Sequence, residues 1–172
     1  INSNLPRSVV LKSIKLMPED FHARFSARSR SYRYIISNQS VRPALLANRA
    51  AWEYEPLDAA LMQTGANYLV GEHDYTSFRA LACQAHSPVR EILNLSVQRD
   101  GALVIIDVTA NGFLHHMVRN LAGVLMSIGK SENPPEWAQQ VLMKKDRACG
   151  GVTAKAQGLY FMRVQYDSKY QI

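Results

Sequence analysis

The chain is short of the features that would assign it at once. Cysteine occurs twice, at Cys83 and Cys149, which excludes a disulfide framework and implies a reduced, cytoplasmic setting. No apolar run approaches the roughly 18 residues that a membrane span requires. No charged n-region, apolar stretch and small-residue cleavage site mark a secretory leader. The phosphate-cradling patterns G-x-x-x-x-G-K-[ST] and G-x-G-x-x-G do not occur, so a nucleotide cofactor has no support. His115-His116 and Cys83-Gln84-Ala85-His86 suggest metal ligands, but a lone C-x-x-H lacks a second pair at metal spacing. Neighbouring histidines on a helix project about 100° apart and cannot easily share one ion. The expectation is no metal and no cofactor.

The most telling absence is acidic. Between Asp20 and Glu53 there is no carboxylate, while Arg24, Arg28, Arg30, Arg33, Arg42 and Arg49 supply six positive charges. The rest of the chain is balanced, so the whole net charge of +6 belongs to this one segment. Every cation in it is arginine, which grips phosphate bidentately and stacks on bases, whereas lysine acts as a point charge. A polyanion such as RNA is the natural partner. The plainer alternative is a solvated basic face that serves solubility.

What is present fits one domain over residues 1–172, with 47% hydrophobic residues to build a core. "SVVLKSIKLM" (Ser8–Met17) reads as a strand. So does "SYRYIIS", with Tyr32, Tyr34 and Ile36 on one face and Arg33 and Ile35 on the other. "AAWEY" reads as a third strand. From Pro56 the period changes: Leu57, Leu61, Thr64 and Tyr68 share a helical stripe, with Gly71 as its C-cap. Two β-branched runs flank Asp100-Gly101, a hairpin signature. Helices are predicted from about Phe113 to Ile128 and after the double proline Pro134-Pro135. "GLYFMRVQY" (Gly158–Tyr166) closes as a strand. Strands joined by hairpins, with helices between pairs, predict an α+β fold: a mostly antiparallel or mixed sheet with helices packed on one face and the other face free for a ligand.

In the helix after Phe113, a broad apolar face runs through Leu114, Met117, Leu121, Val124, Leu125 and Ile128. His115 and Arg119, four apart, fall on a different stripe with Ala122 and Met126. Beside such small and soft neighbours a guanidinium is partly desolvated and calls for a carboxylate or a phosphate. A surface arginine at a helix edge is the other reading of the same projection.

Several separate stretches then agree with one family. "NLP", "DFHARFSARSRSYRYII", "GEHDYTSFRA", "VREI", "ANGFLHHMVRNLAG" and "TAKAQGLYF" occur in the order and spacing of bacterial tRNA pseudouridine synthase A, and the chain resembles the C-terminal half of that family nearly end to end. The resemblance implies a pseudouridine synthase fold with a ferredoxin/RRM-like subdomain. It implies isomerisation of uridine to pseudouridine in the anticodon stem-loop of tRNA, without cofactor or metal, by a homodimer.

Residue by residue, it makes Tyr32 the aromatic that packs against the flipped uracil and a candidate for handling the proton at its C5. Arg119 becomes the partner of a nucleophilic aspartate, and Leu159 an apolar wall of the uracil pocket. Arg24, Arg28, Arg30, Arg33, His115 and His116 become RNA contacts, with Arg30 standing where the family carries lysine. The family's nucleophile lies in an R-T-D-x-G-V-H loop, and no such loop occurs in this sequence. The chain is therefore expected to be the C-terminal part of a catalytic core whose N-terminal domain carries the aspartate, and to be inactive alone. A non-catalytic RNA-binding module with an RRM-like sheet is the rival expectation, and a structural domain with an incidental basic segment is a third.

Overall fold

β1 (Ala27–Asn38) organises the sheet of this computed structural model, which describes residues 1–172. It pairs on one side with β5 (Leu103–Ala110), antiparallel. On its other side β6 (Leu159–Tyr166), antiparallel, and β2 (Ala51–Glu53), parallel, share its length end to end. β4 (Val89–Asp100) follows β5, and β3 (Gly71–Asp74) forms the far edge. The result is a mixed sheet of six strands with three helices, α1 (Ala59–Asn67), α2 (Met117–Gly129) and α3 (Trp137–Lys144). This is the α+β class that the sequence predicts.

Period-two burial explains the layering. Tyr34 and Ile36 of β1, Val104, Ile106 and Val108 of β5, and Leu95 and Val97 of β4 are buried on one face. Met62, Ala66, Leu121, Leu125 and Ile128 from α1 and α2 close over them in one apolar cluster. The opposite face carries cross-strand polar pairs, among them Ser31–Thr109 at 2.8 Å and Arg33–Asp107. α1 starts where Asp58 accepts hydrogen bonds from the N–H groups of Ala60 and Leu61 at 2.8 and 3.0 Å, a side-chain N-cap.

Five local expectations need correction. Residues 8–17 form no strand: Val10, Ile14 and Leu16 are exposed, and no sheet edge takes up the backbone. The segment is instead tethered by Lys15, whose ammonium donates to the carbonyls of Tyr170 and Gln171. Gly71 is not a helix cap but opens β3 at φ +107. Of the expected stripe, Leu57 is buried and Leu61 and Tyr68 pack against the core, whereas Thr64 is exposed and Met62, Gly65 and Ala66 are the buried residues of α1. The hairpin turn is Gly101-Ala102, since Asp100 pairs with Leu103; Gly101 takes the positive φ of +54 that the first position of a type II′ turn requires. Finally, α2 begins at Met117 rather than Phe113, because His116 adopts a left-handed conformation with φ 60.

Candidate RNA-binding and catalytic cleft

The helix-covered side of β1 runs out beyond the start of α2, and a cleft of about 1080 Å³ opens there. Tyr32, Leu159, Arg119, His116, Arg24 and Arg90 line it, and no carboxylate does. Tyr32 arrives there through strand alternation: two residues before the buried Tyr34, it shares that face but lies where the helix cover ends. Its ring is held edge-on between Phe113, at 5.0 Å between centroids, and Phe161, at 5.2 Å. Leu159 is the cross-strand partner of Tyr34 on the same face, which sets it diagonal to Tyr32. A smaller cleft of about 570 Å³, which includes Arg24, Arg28, Arg30 and Arg90, adjoins the first at Tyr32 and Phe113.

Arg119 enters the cleft from the first turn of α2, half-buried. Its Nε donates to the carbonyl of Ala154 at 2.7 Å, and its own carbonyl accepts from the Ala154 N–H at 3.1 Å. One terminal nitrogen lies 3.3 Å from Nε2 of His116. The His116 imidazole is held below the usual histidine range by burial, and further by the cationic fields of His115, Arg119 and Arg147. At neutral pH it is therefore neutral, and its Nε2 accepts from the guanidinium. Arg119 forms none of the ion pairs within the chain. Around it, burial drives the Tyr34 phenol far above its ordinary range, against a smaller opposing effect of the Arg119 charge. The hydroxyl donates to the Lys155 carbonyl at 2.6 Å. Tyr34 is thus a core residue, as its face shared with Ile36 suggests.

The basic segment does not act as one cluster. Arg33 projects to the opposite sheet face, where two of its nitrogens bond the Asp107 carboxylate at 2.8 and 2.9 Å; strand alternation separates it from Tyr32, and its charge is already matched. Arg28 pairs with Asp167, though it remains largely exposed. Arg30 donates to the main-chain carbonyls of Arg24, Ala27 and Asn111, neutral acceptors that leave its charge uncompensated. His115 does not share a helical stripe with Arg119. It precedes α2, lies exposed, and its ring stacks on His116 with centroids 4.0 Å apart, so the expected 100° divergence does not arise. The cleft also lies on the helix-covered side of the sheet rather than on the free face.

Sequence reasoning passed over Arg90 and Phe113, both of which line the cleft. Arg90 sits within "VREI", and its side chain passes within van der Waals reach of Gly112, where a Cβ would stand 3.3 Å from its Nε. No local pattern reveals that closeness, because Arg90 and Gly112 lie at the open end of the β4–β5 hairpin, beyond a register shift between Ile92 and Asn94 that the sequence does not announce. Behind Arg119, on the far side of residues 151–155, lies a second cavity of about 590 Å³ bordered by Trp52, Trp137, Met126 and Tyr34.

With this geometry in view, comparison with known proteins is specific. The family model described as tRNA pseudouridine synthase matches residues 66–167. The chain is 50% identical over 171 residues to tRNA pseudouridine synthase A of Coxiella burnetii (strain RSA 331 / Henzerling II), covering 99% of this chain and 66% of that protein. It is also 50% identical to tRNA pseudouridine synthase A of Pseudomonas aeruginosa, with 99% of this chain and 60% of that protein aligned. The protein of that name from Enterobacter sp. (strain 638) is 48% identical over 172 residues, 100% of this chain and 64% of its own length. The chain thus spans between 60 and 66% of the length of these curated relatives.

Proposed function

The chain belongs to the tRNA pseudouridine synthase family, and from that premise we propose that it forms the base-receiving part of an enzyme that isomerises uridine to pseudouridine in the anticodon stem-loop of tRNA. The reaction breaks the bond from uracil N1 to the ribose C1′ and makes one from C5 to C1′. The C5 proton leaves and N1 gains one, so the balance closes without a cofactor. The chemistry asks for a carboxylate to attack the nucleotide, a cation to keep it ionised and aimed, and a flat apolar surface for the detached base. Supporting this reading is the convergence of Tyr32, Leu159 and Arg119 on one acid-free cleft.

In this reading the uridine leaves its helix at a cost of a few kcal/mol. The ring of Tyr32 receives the base, and stacking of that kind returns about 1–3 kcal/mol. Tyr32 is also the candidate acceptor for the C5 proton. Leu159 walls the pocket. Arg119 holds the nucleophilic aspartate ionised, as an opposite charge within a few ångströms does. That aspartate belongs to an R-T-D loop, which this chain does not contain, so the chain alone is proposed to form no pseudouridine. Arg24, Arg28, Arg30 and Arg90 hold tRNA phosphates beside the cleft, with His115 and His116 at its rim. The anticodon stem-loop target, the homodimer and the cytoplasmic setting rest on the family resemblance.

The deciding experiment is Arg119→Ala in the complete enzyme. Turnover on tRNA is expected to fall at least about 100-fold, while tRNA affinity changes less than about threefold. Equal losses in turnover and affinity would instead assign Arg119 to binding, as in a non-catalytic RNA module.

A further inference from the structure

Behind Arg119 lies a polar network that the reaction as described does not use. Residues 151–155 pass along α2 close enough that a Cβ on Gly123 would stand 1.9 Å from the Val152 carbonyl oxygen. Arg147 spans this segment: one terminal nitrogen donates to the Gly151 carbonyl at 2.9 Å, the other to the Thr153 hydroxyl at 2.8 Å and to Oδ1 of Asn120 at 3.1 Å. The Thr153 hydroxyl donates to the same Asn120 oxygen at 2.7 Å. Asn120, fully buried on α2, donates through Nδ2 to the Phe78 carbonyl at 2.7 Å. Every polar atom of the Asn120 side chain is thus engaged, and none of the three residues lines the cleft.

Between Thr153 and Lys155, both anchored, sits Ala154. Its carbonyl takes the Arg119 Nε–H and its N–H meets the Arg119 carbonyl. A guanidinium is planar, so a bond at Nε fixes the plane and with it the direction of both terminal nitrogens.

We propose that Arg147, Thr153 and Asn120 form a clamp that sets the Arg119 guanidinium in the cleft, and that they are positioning residues for uridine isomerisation. The inference rests on the reading that Arg119 orients the nucleophilic carboxylate. Such outer partners typically change activity about 10- to 100-fold when removed, because a small misaiming of a catalytic group is costly.

Thr153→Val tests the clamp in the complete enzyme, since it deletes one hydroxyl at nearly constant shape and leaves Asn120 and Arg147 bonded to each other. The single-turnover rate at saturating tRNA is expected to fall about tenfold, with tRNA affinity and melting temperature essentially unchanged. Thr153→Ser is expected to restore the rate. Arg147→Lys, which keeps the charge but loses the fork, should give the same split between rate and affinity. In an Arg119→Ala background, Thr153→Val should have no further effect, because residues that act through one group are not additive. Normal rates in both Thr153→Val and Arg147→Lys overturn the clamp, as do equal losses of rate and affinity or a further loss in the Arg119→Ala background. An unaffected Arg119→Ala enzyme, by contrast, overturns the proposed function itself.

Discussion

At the residue scale, the chain answers its lack of local acids with distant ones. Asp107 and Asp167, which pair with Arg33 and with the largely exposed Arg28, lie 74 and 139 positions away. That is why the arginine segment reads as unopposed in sequence while two of its members are paired in the fold. Tyr32, Arg119 and Leu159 were legible because each sits in a motif carried by the family resemblance. Arg90 was not, since its approach to Gly112 depends on the register shift within the β4–β5 hairpin. Carboxylates also govern acid stability. Asp74 titrates below its ordinary range: burial opposes the shift, but the Thr76 hydroxyl and N–H and the Lys145 ammonium outweigh it. A depressed folded value means the unfolded chain takes the proton first, so this stabilisation is complete above about pH 4. It is lost as pH falls through the lower folded value. Asp74→Asn should therefore cost up to about 1 kcal/mol at neutral pH, and the difference from the parent should shrink toward zero as urea melts are taken to lower pH. A gap that widened on acidification would refute the assignment.

At the element scale, periodicity located what is locally determined: the β4–β5 hairpin, α3 after its prolines, and the apolar length of α2. It failed where tertiary context decides. β3 is four residues, Gly-Glu-His-Asp, with no alternation to announce it, and it exists because β4 offers an edge. The apolar spacing of α2 continues back through Phe113, yet the helix stops at His116, where the left-handed turn lets the His115 carbonyl accept from Ala80. The contact between α2 and residues 151–155 gives a case in which two effects oppose. Helix propensity alone makes Gly123→Ala favourable by about 1 kcal/mol. The new methyl group would fall on a backbone oxygen rather than on a pliable side chain, and overpacking of that kind costs about 1–3 kcal/mol or more. A 1.9 Å approach to a backbone oxygen puts the cost at the upper end of that range, so a net destabilisation of about 2 kcal/mol is expected in denaturant unfolding, and a stabilised variant would show that the segment moves aside freely.

At the scale of the whole molecule, the uneven charge is a statement about association. Arg24, Arg30 and Arg90 border the two adjoining clefts without a carboxylate partner, whereas Arg33 is neutralised on the opposite face. Binding of tRNA should weaken steeply with added salt, with about 0.9 lost from the log–log slope per phosphate contact removed. Arg24→Ala is expected to flatten that slope by about one, and Arg33→Ala to leave it unchanged. The same slope in all three proteins would mean that the basic segment does not meet the nucleic acid. The α+β class and the family were legible here because they are distributed over the full length of the chain; the side of the sheet that bears the cleft was not. One arrangement has a practical corollary. Both tryptophans of the chain, Trp52 and Trp137, border the cavity behind residues 151–155, and neither borders the cleft in front. Intrinsic emission is thus a native optical gauge of the rear wall, able to register a shift of Val152 or Thr153 without any introduced dye.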